Sequence, residues 1–550
     1  MRGAAVPDPG PPRPFHAGEH AMTAKPRYYI TTPLYYVNDV PHLGHAFEVV
    51  GIDVQARFRR LLGHPVHLLT GTDEHGQKNA AVAAARGIHP RQHVDEIAAE
   101  FRRVWDLLLI SYDDFIRTTE PRHHRASHQL WRAAQAAGDI YLGSYEGWYD
   151  VKEEAFITET EMKAQGLEPD GKRIRRVSEE SYFFRLEKYR LRVREHIEAN
   201  PGFVLPEMRR NEVLNSFLAN PLPDLSISRT SLEWGIPVPG DERHVMYVWF
   251  DALTNYATGV GYGDPEQAER FAEWWPADCH VIGKDILKFH AVIWPAMLMS
   301  AGVEPPRQVF GHGFINVLRR DAEGGAASEK MSKSAGNSVN PLDYVKQVGV
   351  EPLRYFLMRE MNYGGDGVFN EEALAERHTA DLANSLGNLV SRTTGMAERY
   401  LGGAVRRTTD AERGAIEREI AAAWDATAEE YLRAMPAFEY HTALARLWEF
   451  YAVLNGAINR VEPWALAKKP EEAERLRVFL CAVLEGIAHS SVLLDPFMPG
   501  TARRIRAALG MPEDTPAWDD ARRWGGLFET LQVKKAEPLF PRLEQEPKTP

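Results

Sequence analysis

The sequence predicts an α/β protein: a doubly wound parallel sheet interrupted by an insertion and followed by an all-α bundle. Three patterns predict it. From Tyr28 short apolar runs alternate with helical stretches, a turn-rich mixed segment occupies Ile140 to about Ser226, and long helical patterns run from Glu371 to Leu509. Strand–helix alternation favours parallel strands with ligands at their carboxyl ends, while helix-only patterns favour a bundle. A chain of 550 residues has length for about two to four domains.

Residues 1–26 are rich in Pro, Gly, Ala and His and lack a hydrophobic period, which predicts a disordered extension without the apolar core of a signal peptide. Met22, just before the first strand, is read as an alternative start of translation. Residues 27–138 form the first half of the sheet domain: Tyr28 to Thr32 a strand, Leu43 to Leu61 an amphipathic helix, Val66 to Thr70 a strand, Gln77 to Ala85 and Val94 to Leu109 helices. The turn Pro41-His42-Leu43-Gly44-His45 brings backbone N–H groups and the positive end of a helix dipole to one point, which suits phosphate. Its two histidines fall on one side of the first turn, able to donate to phosphate oxygens, and Gly44 lets a base or ribose approach. The acids of Gly71-Thr72-Asp73-Glu74-His75-Gly76 read, by composition alone, as surface decoration.

Residues 139–226 are the insertion, and 227–325 the second half of the sheet domain. There Trp249, Ala252 and Tyr256 fall at helical spacing, a stripe that by itself predicts core packing. His280 to Asp285 ends a strand in a glycine turn: Gly283 admits a nucleotide, and Asp285 is placed to accept from ribose hydroxyls. Ile286 to Ser300 continues as a helix containing His290, and Val309 to Phe314 is the last parallel strand. Residues 326–370 hold Lys330-Met331-Ser332-Lys333-Ser334, by composition a solvated loop. Residues 371–520 are the helical domain. Asn388 and Arg392 share a helix face there, and Pro463-Trp464 opens another helix: an amide, a guanidinium and an aromatic, the set that reads unstacked RNA bases. Residues 521–550 are a tail that packs back, its end disordered.

A net charge of −12 argues against a protein that coats nucleic acid indiscriminately, but basic clusters at Arg57–Arg60 and Lys172–Arg176 leave selective RNA binding open. Two cysteines, Cys279 and Cys481, ask for no oxidising compartment. No apolar run is expected to approach the roughly 20 residues that span a bilayer.

Taken together, His42-Leu43-Gly44-His45 and Lys330-Met331-Ser332-Lys333-Ser334 resemble the two signatures of the class I aminoacyl-tRNA synthetases, and beyond residue 26 nearly the whole chain resembles their methionyl members. The resemblance implies a Rossmann-like catalytic domain, an inserted connective domain and an anticodon-binding bundle. It implies ATP-dependent ligation of L-methionine to tRNA(Met), initiator and elongator, through methionyl-adenylate. The catalytic set it carries over is His42, His45, Lys330 and Lys333; ATP binding adds Pro41, Gly44, Gly283, Asp285 and Ser332. Leu34, Tyr36, Trp249, Ala252, Leu253, Tyr256, Ile286 and His290 would form the methionine pocket. Asp73 would pair with the ammonium, and Arg229 would serve the nearby polar network. Asn388, Arg392, Pro463 and Trp464 match the anticodon-reading positions.

The cofactor implied is ATP with Mg2+, the metal riding on phosphate oxygens. Many relatives carry Cys-x-x-Cys zinc knuckles in the insertion; here the matching stretches read Trp148 to Glu154 and Leu167 to Gly171, so no zinc is expected and salt bridges and packing replace it. The chain resembles the shorter form of the family, which implies a monomer; a cytoplasmic location and no membrane partner are expected. Leucine, isoleucine and valine enzymes would need a large editing insertion, and a cysteine enzyme thiolates and a metal. A non-catalytic RNA-binding paralogue need not keep His42, His45, Lys330 and Lys333.

Overall fold

The computed structural model describes residues 25–150, 155–157, 159–164, 166–320, 326–330 and 338–543. Ser332 and Lys333, Glu153, and the stretch around Met22 lie outside them.

The central sheet has seven parallel strands: β1 (Tyr28–Thr31), β2 (Tyr35–Tyr36), β3 (Val66–Asp73), β4 (Asp114–Arg117), β5 (Val204–Leu205), β6 (Cys279–Gly283) and β7 (Val309–His312). Across the sheet they run β4–β3–β1–β6–β7–β5, with β2 prolonging β1, since Thr72 of β3 pairs with Tyr35 on one edge and Arg117 on the other. The helix α1 (Leu43–Leu61) carries the chain back from β2 to β3 and buries Leu43, Phe47, Val50, Val54 and Phe58, a spacing of three and four. The strands that follow β1 in the chain lie on one side of it and the later ones on the other. The order therefore reverses between β1 and β6, where Ile30 faces Cys279 and Thr31 faces His280, and the crevice outside those carboxyl ends is where this topology accepts ligands. Helices α2 (Pro121–Ala136) and α3 (Val248–Thr258) pack on each other beside it.

The insertion is an antiparallel sheet in which Ile140–Asp150 pairs along its length with Ile174–Phe184, flanked by Ala155–Ile157 and Leu225–Ser226. Within the insertion, Asp150, 1% exposed, accepts from Arg173 Nη2 at 2.9 Å, and Met162 and Ile174 pack with Trp148 and Leu167. One feature departs from the expected boundaries: β5 lies inside residues 139–226, yet Val204 and Leu205 pair with Val309 and Phe310 as the edge strand of the main sheet. Two residues carry no periodicity for a sequence pattern to show.

Beyond β7, Ile315–Arg320 pairs antiparallel with Ala326–Lys330 and parallel with Gly367–Phe369, so Lys330 ends a strand opposite Asn316. The C-terminal bundle includes α4 (Asn388–Leu401), α5 (Tyr440–Val461) and α6 (Ala473–Leu494), and the tail returns as Thr530–Gln532 paired with Ala404–Arg406. The expectation that no segment is apolar and long enough to cross a bilayer is corrected at Pro470–Leu494, which is so by length and composition alone; its most apolar 18-residue window has mean hydropathy 1.6 and is 94% buried inside the bundle. Arg354, wholly buried, ties the bundle to the sheet domain: it donates to Asp53 of α1 at 2.6 Å and to the carbonyls of Leu108 and Phe497, both at 2.9 Å. Burial alone would raise the Asp53 carboxyl, but Arg57 and Arg354 outweigh it and hold it at about 2.

Candidate active site and anticodon interface

The start of α1 is built by its two histidines. His42 is the N-cap: its Nδ1 accepts from Gly44 N at 3.1 Å, and His45 Nδ1 accepts in return from His42 N at 3.2 Å. The rings stack at 3.8 Å and 16°. With Nδ1 of each ring engaged as an acceptor, the neutral imidazoles carry their proton on Nε2. Gly44 has a reason beyond ligand approach, because a Cβ there would meet His42 Cε1 at 2.8 Å. Tyr35, which the sequence did not single out, buttresses His45 edge-on at 5.3 Å and stacks on Phe101. Leu43 N donates to Val339 O at 2.8 Å, which joins the first signature to the chain two residues after the undescribed stretch 331–337.

On the other side of the crevice Gly283 ends β6 with His312 of β7 as its register partner. A Cβ at Gly283 would come within 2.7 Å of Asp285 Oδ1, so glycine there makes room for the Asp285 carboxylate, which is exposed. His312 was missed by sequence reasoning, because its partner is remote: Nε2 faces Glu48 Oε2 at 2.6 Å and Nδ1 faces Gly313 O at 2.7 Å. Both nitrogens meet acceptors. Although burial opposes the charge, Glu48 raises the pKa of the imidazole.

The expected helix from Ile286 to Ser300 is three pieces: a 3-10 turn at Lys284–Ile286, a π-helical turn at Phe289–Ile293 and an α-helix at Trp294–Ser300. The wide turn is common where a helix lines a site. His290 Nδ1 donates to Ile286 O at 3.0 Å, and Tyr256 OH donates to His290 Nε2 at 2.7 Å. Burial pushes His290 down to about 4, which keeps it neutral in this tautomer. Trp249 is half-buried and stacks on Phe289 at 3.5 Å and 11°, so the stripe on α3 is only partly core: Ala252, Leu253 and Tyr256 are buried. Leu34 and Ile286 pack against the same apolar cluster, and so does Phe289, which periodicity gave no reason to choose.

Asp73 closes β3, 3% exposed, with Tyr36 as its register partner. Arg229, 4% exposed, donates to Ser226 Oγ at 2.6 Å and lies 4.2 Å from the centre of the Tyr247 ring. Two residues past Asp73, His75 meets Asp251 of α3 at 2.6 Å, and His123 of α2 meets the other oxygen of the same carboxylate at 2.6 Å.

The bundle residues form a separate group. Asn388, exposed, opens α4; Arg392, one turn on, reaches Asn459 at 3.5 Å and Asn455 at 3.4 Å on α5. Three residues past the end of α5 stands Trp464, 39% exposed, behind a buried Pro463. Among the described residues no group of three or more His, Cys, Asp or Glu could hold a metal ion.

Comparison with known proteins covers both regions. The family model described as tRNA synthetases class I (M) matches residues 28–173 and 168–394, and that described as anticodon binding domain of methionyl tRNA ligase matches 408–549. The methionine–tRNA ligase of Halalkalibacterium halodurans is 42% identical over 94% of this chain and 79% of its own. That of Clostridium perfringens is 44% identical over 96% and 79%. A crystal structure of the Mycobacterium tuberculosis methionyl-tRNA synthetase bound by methionyl-adenylate superposes with TM-score 0.85 at 41% identity, over 94% of this chain and all of that one.

Proposed function

The chain belongs to the methionyl-tRNA synthetases of class I, and on that premise we propose how its residues divide the work of joining L-methionine to tRNA. The reaction uses ATP and passes through methionyl-adenylate. A methionine carboxylate oxygen bonds to the α-phosphorus as the bond to the bridging oxygen of pyrophosphate breaks. The 2′-hydroxyl of the terminal tRNA ribose then takes the acyl group and releases AMP. No covalent nucleophile is required of the protein, which supplies position and charge stabilisation.

In this reading His42 and His45 donate from Nε2 to phosphate oxygens, Lys330 and Lys333 meet the triphosphate from the opposite side, Ser332 shapes their loop, and Pro41, Gly44, Gly283 and Asp285 seat the nucleoside. The methionine side chain lies among Leu34, Tyr36, Trp249, Ala252, Leu253, Tyr256, Ile286 and His290. Its ammonium pairs with Asp73. Asn388, Arg392, Pro463 and Trp464 read the anticodon of initiator and elongator tRNA(Met). Magnesium comes with ATP, on its phosphates. We assign no structural zinc, since Cys279 in β6 and Cys481 in α6 are both buried outside the insertion. The working unit is a cytoplasmic monomer, a reading that light scattering and cell fractionation test.

The observation that supports this division best is the hydrogen bond from Leu43 to Val339, at the crevice where the sheet order reverses. The experiment is amino-acid-dependent ATP–pyrophosphate exchange on chelator-treated protein with magnesium, without tRNA. Exchange with methionine and not with leucine, isoleucine, valine or cysteine is expected; a requirement for added zinc would overturn the metal-free assignment.

A further inference from the structure

One buried carboxylate beside the amino acid site takes no part in the steps above. Asp251 stands on α3 between Trp249 and Ala252, wholly buried, and each of its oxygens receives one imidazole: Oδ2 from His75 Nδ1 and Oδ1 from His123 Nε2, both at 2.6 Å. Burial would favour the neutral acid. The nearby His75, then the hydrogen bonds from His123 and His75, pull the carboxyl well below its usual range.

The three residues come from three elements. His75 follows Asp73 by two positions on the loop after β3, His123 lies in the first turn of α2, and Asp251 is on the helix that carries the side-chain pocket. The loop is gripped from its other side as well: Trp234 donates Nε1–H to Glu74 O at 2.7 Å and lies edge-on to the His75 ring at 5.5 Å. Glu74 is held by Arg117 at 2.6 Å. Asp251 is thus the point at which the backbone bearing Asp73 is fixed relative to α3.

We propose that Asp251 is a positioning residue for methionine, which through His75 sets the distance between the ammonium-binding Asp73 and the thioether pocket on α3. The proposal rests on the reading of Asp73 as the ammonium partner. An asparagine there presents one acceptor where the carboxylate has two, and turns an N–H group toward an imidazole donor, so the loop loses its register with the helix.

The test compares methionine with 4-(methylthio)butanoic acid, which keeps the carboxylate and thioether but lacks the amine. For Asp251→Asn we expect the methionine KM in pyrophosphate exchange to rise ~10-fold or more. The inhibition constant of the des-amino acid and the ATP KM should stay within about 2-fold. Should folding fail, His75→Leu is judged by the same criterion, with His75→Asn, which keeps a donor at the Nδ1 position, restoring methionine. Equal weakening of both ligands, or of neither, overturns the proposal. Asp73→Asn separates the two readings. A methionine-selective loss there without one in Asp251→Asn retains the ammonium partner and sinks the coupling; the reverse supports the coupling and reassigns the ammonium partner.

Discussion

The amide of Leu43 donates to the carbonyl of Val339 at 2.8 Å, across nearly three hundred residues of chain. Leu43 is the first residue of α1, where an N–H has no partner within its own helix. Here the segment leaving the second signature supplies it. The turn that presents His42 and His45 is thereby held by backbone to Val339, just ahead of the helix Pro341–Val348.

His42→Asn separates the cap from the chemistry. Asparagine is a good N-cap and can still accept from Gly44, but it has no donor at the Nε2 position. The expected outcome is a loss of ~10²–10³ in the rate of pyrophosphate exchange, the usual cost of removing a transition-state donor. Thermal unfolding should move little. A large drop in Tm with an equal drop in activity would make His42 a structural cap.

Trp249 is half-buried and stacked on Phe289, so it can contact a ligand without closing the core. Trp249→Ala should raise the methionine KM sharply, by ~10² or more, as expected for losing an aromatic wall around a weakly polar thioether. The ATP KM should change much less. Equal losses for both substrates would remove Trp249 from the pocket.

Arg392→Gln tests the bundle. The guanidinium reaches Asn455 and Asn459 only at 3.4 and 3.5 Å, so it is loosely held and able to turn to a base. We expect kcat/KM for aminoacylation to fall ~10–100-fold, within the range for loss of a base contact. Methionine-dependent pyrophosphate exchange without tRNA should be unchanged; a fall there would mean the bundle is coupled to activation rather than to tRNA.

Long periodic elements were legible because burial repeats along them: α1 shows its core face at Leu43, Phe47, Val50, Val54 and Phe58. What stayed hidden was short or non-local. The β5 edge has two residues, and the π-turn at Phe289–Ile293 breaks the 3.6 period that placed His290 on a regular helix. The His312–Glu48 pair joins positions 264 residues apart and the His75–Asp251 pair positions 176 apart, and no spacing rule links them. The Trp249 stripe by its spacing predicted core, and only the resemblance pointed to a pocket; its exposure decides only that Trp249 differs from its neighbours.

Glu485 offers a measurement of pH-dependent stability in the bundle. It is 0% exposed on α6, its nearest cation, Arg413, stands 3.9 Å away, and its neighbour His489 is held to about 4 by burial and so is neutral. Burial pushes the Glu485 carboxyl up to about 7 from 4.5. The folded state therefore binds this proton more tightly than the unfolded chain, and the resulting stability is full below about pH 4.5 and lost as pH rises through about 7. Glu485→Gln removes the charge while keeping the shape. The variant should be more stable than the parent at pH 8 by ~1–3 kcal/mol, with the gain vanishing toward pH 5. Denaturant melts at the two pH values decide it. A gain independent of pH would show that the Glu485 carboxyl titrates alike in the folded and unfolded chain, and a loss at pH 8 that the carboxylate is paired with Arg413 more strongly than their separation implies.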